Sequence, residues 1–138
     1  MQKILLIEPD RPLAQTYQTV LESAGYAVFW CPHAQLAIIA ADKMKPSLVI
    51  IELKLAAHSG IEFLYEFRSY PDWVNVPVLV LSSVPMEESG VAGRLTAELN
   101  LAGYSYKPQT SLKKLSATVE KLLAPKRPKA KAGATNAR

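Results

Sequence analysis

The sequence predicts a doubly wound α/β domain, with a five-stranded parallel sheet and helices on both faces. Two observations support this prediction. Short continuous apolar runs, typical of strands that are covered on both faces, alternate with segments whose apolar residues recur at helical spacing. The order is β-α five times over, which implies parallel strands joined by right-handed crossovers. The 138 residues are the size of one ordinary domain.

The predicted strands are short apolar runs. In chain order they are ILLI (4–7), YAVFW (26–30), LVII (48–51), VPVLVL (76–81) and the weaker GYSY (103–106). No run approaches the roughly 20 apolar residues that cross a bilayer, so no membrane span is predicted. The first run ends at Glu8 after four apolar residues, unlike a secretory signal, and we therefore expect a cytoplasmic protein.

Two predicted helices have a clear apolar face. The first is followed by Gly25, which stands where a residue after the helix C-cap is expected. The fifth has Thr110 or Ser111 available as its N-cap. The apolar face of the first helix comprises Leu13, Tyr17, Val20, Leu21 and Ala24, and that of the fifth comprises Leu112, Leu115, Val119 and Leu122.

Three further segments are predicted to be helical. Residues 34–44 and 60–69 form the second and third helices. Residues 87–100 give the weakest pattern, because Gly90 and Gly93 each weaken a helix by up to about 1 kcal/mol relative to alanine.

The basic charge of the chain is concentrated at its end. Residues 1–124 hold 11 Lys and Arg against 12 Asp and Glu, whereas residues 125–138 hold five basic residues and no acid. That last segment has no apolar residue larger than alanine, so we predict a domain at 1–124 and a basic flexible tail at 125–138. The tail has no aromatic residue for base stacking, which limits it to a weak, sequence-neutral contact with nucleic acid or to a solubilising role.

Polar residues follow four of the predicted strands. Doubly wound folds bind ligands at the carboxyl ends of their strands, so these residues are the candidates for a site. They are Glu8, Pro9 and Asp10 after the first strand, Glu52 after the third, Ser82 and Ser83 after the fourth, and Lys107 after the fifth.

This set, in this order, resembles the receiver domain of two-component response regulators. The resemblance covers residues 2 to about 123 and includes KILLIE, ESAGYAV, SGIEFL, PVLVLSS and YSYKP. It implies a flavodoxin-like (βα)5 fold and a module of phosphorelay signal transduction, not an enzyme. In that family an aspartate after the third strand is phosphorylated by a histidine kinase, with Mg²⁺ held by that aspartate and by an acidic pair after the first strand.

Half of the family's site matches this chain. Carried over by position, Ser82 and Lys107 correspond to the hydroxyl and the lysine that bind phosphoryl oxygens, and Tyr104 corresponds to the switch aromatic. The acidic half departs from the pattern. Glu52 stands where the phosphorylated aspartate is expected, and Pro9, which has no side-chain oxygen, replaces the second acid of the metal-binding pair, whose first acid is Glu8.

The two departures together predict a degenerate phosphorylation site. The extra methylene of Glu52 displaces its carboxylate by roughly a C–C bond length, and a misplacement of about 1 Å can cost on the order of 100-fold in rate. Pro9 removes a metal ligand, so weak or absent Mg²⁺ binding is expected. We therefore predict that the chain is a pseudo-receiver, which acts by protein–protein interaction and independently of phosphorylation. The carboxylate of Glu52 can also reach toward Lys107 and Ser82, which would hold one conformation, active-like or inactive-like.

Two alternatives stay open. A working phosphoacceptor would use Glu52 with Mg²⁺ held by Glu8 and by Asp10, although Asp10 is better suited to cap the helix that begins near Pro12. A nucleic-acid accessory protein would act through the tail at 125–138.

The expected partners are signalling proteins. The resemblance implies a contact surface formed by the fourth helix, the fifth strand and the fifth helix, and it also admits a homodimer. Tyr104 and Tyr106 flank Ser105 on the fifth strand and so share a face. Equally, one of these tyrosines merely covers the edge of the sheet.

Four further residues receive structural interpretations. Cys31 has no second cysteine to pair with and is expected to be a half-buried strand residue. His33 and His58 have no partner at metal-binding spacing and are expected in solvated loops. The side chain of Lys54 is expected to be exposed.

Overall fold

The five strands form one parallel sheet. The computed structural model describes residues 1–55, 59–91 and 93–125, apart from the side chains of Arg94 and Leu95. The sheet order is β2-β1-β3-β4-β5, so the strand order reverses between β1 and β3. The predicted parallel α/β architecture is confirmed. The strands are β1 (Lys3–Ile7), β2 (Ala27–Cys31), β3 (Leu48–Ile51), β4 (Val78–Ser82) and β5 (Gly103–Tyr106).

Helices cover both faces of the sheet. The first and last helices pack on one face, and the second and third pack on the other. The helices are α1 (Arg11–Ser23), α2 (Ala34–Met44), α3 (Gly60–Arg68), α4 (Arg94–Glu98) and α5 (Leu112–Leu123). Within the described residues, single turns of 3₁₀ helix lie at Pro71–Trp73, Met86–Glu88 and Lys107–Gln109. No described helix is both long enough and apolar enough to cross a membrane.

The central strands are buried on both sides, as their continuous apolar runs predict. In β1, Ile4 and Leu6 face α1 and α5, whereas Leu5 and Ile7 face α2 and α3. The expected double coverage is incomplete at the two edge strands, although Val28 and Cys31 of β2 are buried on opposite faces. Phe29 of β2 is 42% exposed, and all four residues of β5 are only half-buried, because an edge strand lacks a neighbour on one side.

Local signals place the helix ends. Asp10 is the N-cap of α1, and its carboxylate accepts a hydrogen bond from the backbone N–H of Leu13. Gly25 follows the helix with a φ of 100°, a conformation that favours glycine. Ala24, which was expected on the buried face, is exposed because it is already the C-cap. Ser111, and not Thr110, is the N-cap of α5.

The weakest helical prediction contains the shortest helix. Only five residues form α4, and Gly90 and Gly93 before it have positive φ angles of 85° and 69°. Val91 between these glycines is fully buried and anchors the segment in the core. The two glycines therefore prevent the helix from starting earlier, and Val91 holds this part of the chain against the core.

The expectations for the single cysteine, the two histidines and Lys54 are met only in part. The side chain of Lys54 is exposed, as expected. Cys31 is buried, with 6% exposure, because its side chain turns toward α2. His33 is not a solvated loop residue: it is the N-cap of α2, half-buried, and its Nδ1 is enclosed without a hydrogen-bond partner among the described residues. His58 lies outside the described residues, as does the predicted tail beyond Pro125.

Candidate functional site

The polar residues singled out from the sequence meet at one edge of the sheet. Ile7 and Ile51 are register partners on β1 and β3, so Glu8 and Glu52, which follow them, lie side by side. Ser82 is the last residue of β4 and pairs with Tyr106 of β5. The residue after β5 is Lys107. The carboxyl ends of four adjacent strands thus bring two acids, a hydroxyl and an ammonium group together.

The carboxylate of Glu52 is saturated with hydrogen bonds. Its Oε2 accepts from the hydroxyl of Ser82 at 2.5 Å and from the backbone N–H of Lys54 at 3.0 Å. Its Oε1 accepts from the ammonium of Lys107 at 2.8 Å and from the backbone N–H of Ser83 at 3.0 Å. Burial favours the neutral acid, but these donors outweigh it and lower the pKa of Glu52. The side chain therefore carries its charge in a nearly closed pocket.

Lys107 bridges the two acids. Its Nζ lies 2.8 Å from Oε1 of Glu8 and 2.8 Å from Oε1 of Glu52, and its side chain is 13% exposed. Burial disfavours the charged ammonium, but the hydrogen bonds to Glu52 and Glu8, with their negative charges, raise the pKa of Lys107. One cation thus serves two carboxylates.

The first acid is fixed from its other side by the backbone. Oε2 of Glu8 accepts a hydrogen bond of 3.0 Å from the N–H of Asp10. The carboxylate of Asp10 is directed instead at the start of α1, where it caps the helix. Pro9 between them is exposed and contributes no side-chain oxygen. The loop after β1 therefore supplies one carboxylate to the site, not a pair.

These residues do not fit Mg²⁺ as they are arranged. Mg²⁺ requires octahedral oxygen ligands at about 2.0–2.1 Å. Oε1 of Glu8 and both oxygens of Glu52 already accept hydrogen bonds, and the ammonium of Lys107 lies between the acids. Among residues 1–55, 59–91 and 93–125, no three His, Cys, Asp or Glu side chains form a metal-binding group. The carboxylate oxygens of Glu8 and Glu52 are therefore arranged to accept hydrogen bonds from an ammonium group, not to coordinate a divalent cation.

Two aromatic residues that the sequence analysis did not assign to the site lie at its border. Tyr17 on α1 is 7% exposed; burial raises the pKa of its hydroxyl, and the charges of Glu8 and Glu52 add to that effect while Lys107 opposes it. The indole N–H of Trp30 donates to the backbone carbonyl of Glu8 at 2.8 Å. Helical spacing marked Tyr17 only as a core residue, and no sequence signal pointed to Trp30.

A hydrogen-bonded path leads from the site to β5. The hydroxyl of Ser82, which donates to Glu52, also accepts from the backbone N–H of Val84 at 3.1 Å. The carbonyl of Val84 accepts in turn from the hydroxyl of Tyr104 at 2.5 Å. Tyr104 is thereby held against the loop after β4, and the state of the acid pocket is connected to the surface of β5.

Tyr104 and Tyr106 line a surface cavity together. The cavity has a volume of about 300 Å³ and lies between β5 and the 3₁₀ turn at Met86–Glu88. Both tyrosines are half-buried. Its other lining residues are Pro85, Met86, Glu87 and Gln109.

Fold and site define a class of signalling domain. The chain matches the family described as response regulator receiver domain over residues 4–120, and it belongs to that family. Solved receiver structures share its fold. The chemotaxis protein CheY4 of Vibrio cholerae superposes with a TM-score of 0.79 at 22% identity, covering 89% of this chain and 99% of that one. The receiver domain of HemR from Leptospira biflexa gives 0.77 at 26% identity, covering 93% and 98%.

The relatives of this chain include transcriptional regulators. The KDP operon transcriptional regulatory protein KdpE of Escherichia coli K12 is 34% identical over 92 residues, which are 67% of this chain and 40% of that regulator. The phosphate regulon transcriptional regulatory protein PhoB of Pseudomonas aeruginosa is 26% identical over 105 residues, 76% of this chain and 44% of that regulator. The chain thus spans less than half the length of these two relatives.

Proposed function

We propose that this chain is a receiver module that signals by protein–protein interaction without phosphorylation, because its own Glu52 carboxylate fills the pocket. One observation carries the proposal. The carboxylate of Glu52 accepts hydrogen bonds from Ser82 and Lys107, the two groups that correspond by position to the phosphoryl ligands of the family.

An incoming phosphoryl group would compete with Glu52 for its donors. Each carboxylate oxygen of Glu52 already has two donors, so a nucleophilic oxygen would have to leave at least one of them to attack. The phosphoryl oxygens would then need the same hydroxyl and ammonium groups. Phosphoryl transfer relies on positioning and on charge stabilisation, and both are already engaged in the resting site.

The same arrangement disfavours a metal-dependent phosphoacceptor. Without Mg²⁺ the charge that develops in phosphoryl transfer lacks its usual counterion. Pro9 supplies no ligand, and Lys107 neutralises part of the negative charge that would attract a divalent cation. The module therefore works with no cofactor.

The pocket holds one conformation through Tyr104. The path from Glu52 through Ser82 and Val84 ends at the hydroxyl of Tyr104. In the family the hydroxyl and the aromatic respond together to the phosphoryl group, and in this chain both have a fixed partner. The module therefore rests in a state that resembles the liganded receiver, with Tyr104 held against the loop after β4.

Signalling proteins of the cytoplasm are the partners of this state. The cavity beside Tyr104 and Tyr106 is also lined by Met86, and tyrosine and methionine are both enriched at protein contacts.

An NMR titration tests the proposal. The full chain is titrated with millimolar Mg²⁺ and then with beryllofluoride, which imitates a phosphoryl group. We expect no saturable shift at Glu8, Glu52 or Tyr104. The double variant Pro9→Asp/Glu52→Asp, which restores the family's acids, should gain Mg²⁺-dependent and beryllofluoride-dependent shifts and so serves as the positive control. Saturable shifts in the unaltered chain would establish the phosphoacceptor alternative instead.

The basic tail needs a separate test. Nucleic-acid binding through residues 125–138 would show a steep salt dependence that disappears when these residues are deleted.

A further inference from the structure

The outer edge of β2 is an uncharged and partly apolar surface. This strand comes first in the sheet order, so no other strand of the described residues lies beyond it. Its sequence, AVFWC, contains neither a charged residue nor a proline, although such residues commonly protect open strand edges from pairing. Phe29 at its centre is 42% exposed. An edge of this kind is a template for another strand.

Alternate backbone groups of β2 face outward. The N–H of Ala27 donates to the carbonyl of Gln2, and the carbonyl of Cys31 accepts from the N–H of Glu8. Ala27, Phe29 and Cys31 therefore hydrogen-bond toward β1, as the ladder of a parallel pair requires. The N–H and C=O groups of Val28 and Trp30 alternate with these and point to the free edge.

We propose that a second copy of this chain adds to the edge of β2 in antiparallel orientation. A two-fold axis passes beside Phe29, which faces Phe29 of the second copy. Val28 of each copy then lies opposite Trp30 of the other, and the outward N–H and C=O groups of both residues are satisfied. The two sheets become one continuous sheet. Two-fold dimers are the commonest oligomers, and this edge is complementary to itself, as such an interface requires.

The charges of α1 fit the same axis. This helix has only two charged residues, Arg11 at its first position and Glu22 near its last. The guanidinium of Arg11 lies 6.0 Å from the ring centre of Trp30, which places it on the side of the helix toward β2. Glu22 follows by eleven residues, about three helical turns, and falls on the same side. The axis makes the two α1 helices antiparallel and brings Arg11 of each copy toward Glu22 of the other, a complementary pair of charges.

The other face of the sheet adds apolar surface at the junction. Helix α2 packs on both β1 and β2, and its Leu36 and Ile39 are 46% and 55% exposed. In the dimer, the β2 strands of the two copies are neighbours, about 4.8 Å apart. Because each α2 lies above the space between β1 and β2 of its own copy, the two α2 helices are then about 10 Å apart. That separation is within the usual range for packed helices.

Sedimentation equilibrium of the full chain tests the dimer. We expect a dimer whose dissociation constant rises at least about tenfold in Phe29→Lys, because two like charges would face each other across the axis. Val74→Lys is the matched control, since Val74 is 41% exposed but lies outside β2 and its flanking helices, and it should leave the dimer unchanged. A monomer at every concentration, or equal effects of the two variants, would overturn the proposal.

A charge exchange tests the predicted orientation. Arg11→Glu and Glu22→Arg should each weaken the dimer, and the double variant should restore it, because the complementary pair is rebuilt with reversed signs. An additive loss in the double variant would rule out this register.

A cross-link tests the axis itself. Directly opposed residues of an antiparallel pair have Cβ atoms about 4.5–5.5 Å apart, close to disulfide geometry. In a Cys31→Ser background, Phe29→Cys should form a covalent dimer on oxidation, and Val74→Cys should not. Failure of Phe29→Cys to cross-link faster than Val74→Cys would contradict the placement of the axis. The dimer does not depend on the state of Glu52, so these results are independent of the proposed function.

Discussion

The ammonium of Lys107 donates a hydrogen bond of 2.8 Å to Oε1 of Glu52, although the two residues are 55 positions apart in the chain. The same ammonium lies equally close to Glu8. Through these two ion pairs, Lys107 connects the segment after β5 to the ends of β1 and β3. Because all three side chains are largely enclosed, removing the ammonium would leave the two carboxylates without compensation.

Replacing Lys107 by Met should destabilise the protein. The variant keeps most of the side-chain volume but leaves Glu8 and Glu52 as neighbouring buried carboxylates, which should lower the free energy of unfolding by about 3 kcal/mol. Urea denaturation measures this loss. Lys113→Met, at an exposed position of α5, is the control and should change stability by less than about 0.5 kcal/mol. Equal losses in the two variants would show that the bridge is not stabilising.

The stability of the fold should decrease at both extremes of pH. The pKa of Glu52 is lower in the folded state than the usual value of about 4.3, so the unfolded state binds more protons in acid. The stabilisation from Glu52 is complete above that value and is lost as the pH falls through the folded pKa. Lys107 has a raised pKa, so its contribution is complete below about 10.4 and is lost as the pH rises through its folded value.

Glu52→Gln isolates the acid side of this dependence. The amide cannot titrate, so the free energy of unfolding should fall less between pH 7 and pH 3 than in the unaltered protein, as measured by urea denaturation at each pH. Glu66→Gln, at an exposed position of α3, should keep the dependence of the unaltered protein. If both variants had the same slope as the unaltered chain, Glu52 would not be its source.

The fold was predictable where burial leaves a mark on composition. The doubly covered strands β1, β3 and β4 are recognisable because both faces demand apolar residues. The two edge strands were also predicted as strands, but their exposure was not. The apolar runs do not show the order of the strands in the sheet, and that order decides which strands lie at its edges. The predicted helix over 87–100 shrank to Arg94–Glu98 because Gly90 and Gly93 adopt positive φ angles.

The site was predictable in its side chains but not in its hydrogen bonds. Positions after the strands identified Glu8, Glu52 and Lys107, because parallel strands bring their carboxyl ends together. The backbone N–H groups of Lys54 and Ser83 complete the cradle around Glu52. Every residue except proline has such a group, so no pattern of side chains distinguishes the ones that point into a site.

Removing the hydroxyl of Tyr104 should loosen the loop after β4. Tyr104→Phe leaves the carbonyl of Val84 without its donor, which should cost about 1 kcal/mol. Amide hydrogen exchange should accelerate at Val84 and through residues 84–91, with smaller changes in β1 and β3. Tyr65→Phe, at a position 51% exposed on α3, is the matched control and should leave this loop protected. Unchanged exchange in Tyr104→Phe would show that the path from Glu52 ends before β5.

We expect the side chain of Arg68 to stabilise the segment that follows α4. Its Nε donates to the carbonyl of Leu99 at 2.8 Å, and its Nη2 donates to that of Asn100 at 3.0 Å. Its Nη1 reaches the carbonyls of Trp73 and Val74 at 2.7 and 3.2 Å. Burial lowers the pKa of the guanidinium, which donates to these four carbonyl oxygens. One side chain of α3 thus holds two separate loops.

Arg68→Met should lower the free energy of unfolding by about 2 kcal/mol, because several carbonyls lose a charged donor together. Arg68→Lys should recover less than half of this loss, since an ammonium cannot reproduce the planar fork that spans both loops. Urea denaturation gives the energies, and faster amide exchange at Asn100 and Leu101 locates the effect next to α4. Lys43→Met, at an exposed position of α2, is the control. Full recovery by lysine would mean that charge alone, and not the fork geometry, holds the end of α4 in place.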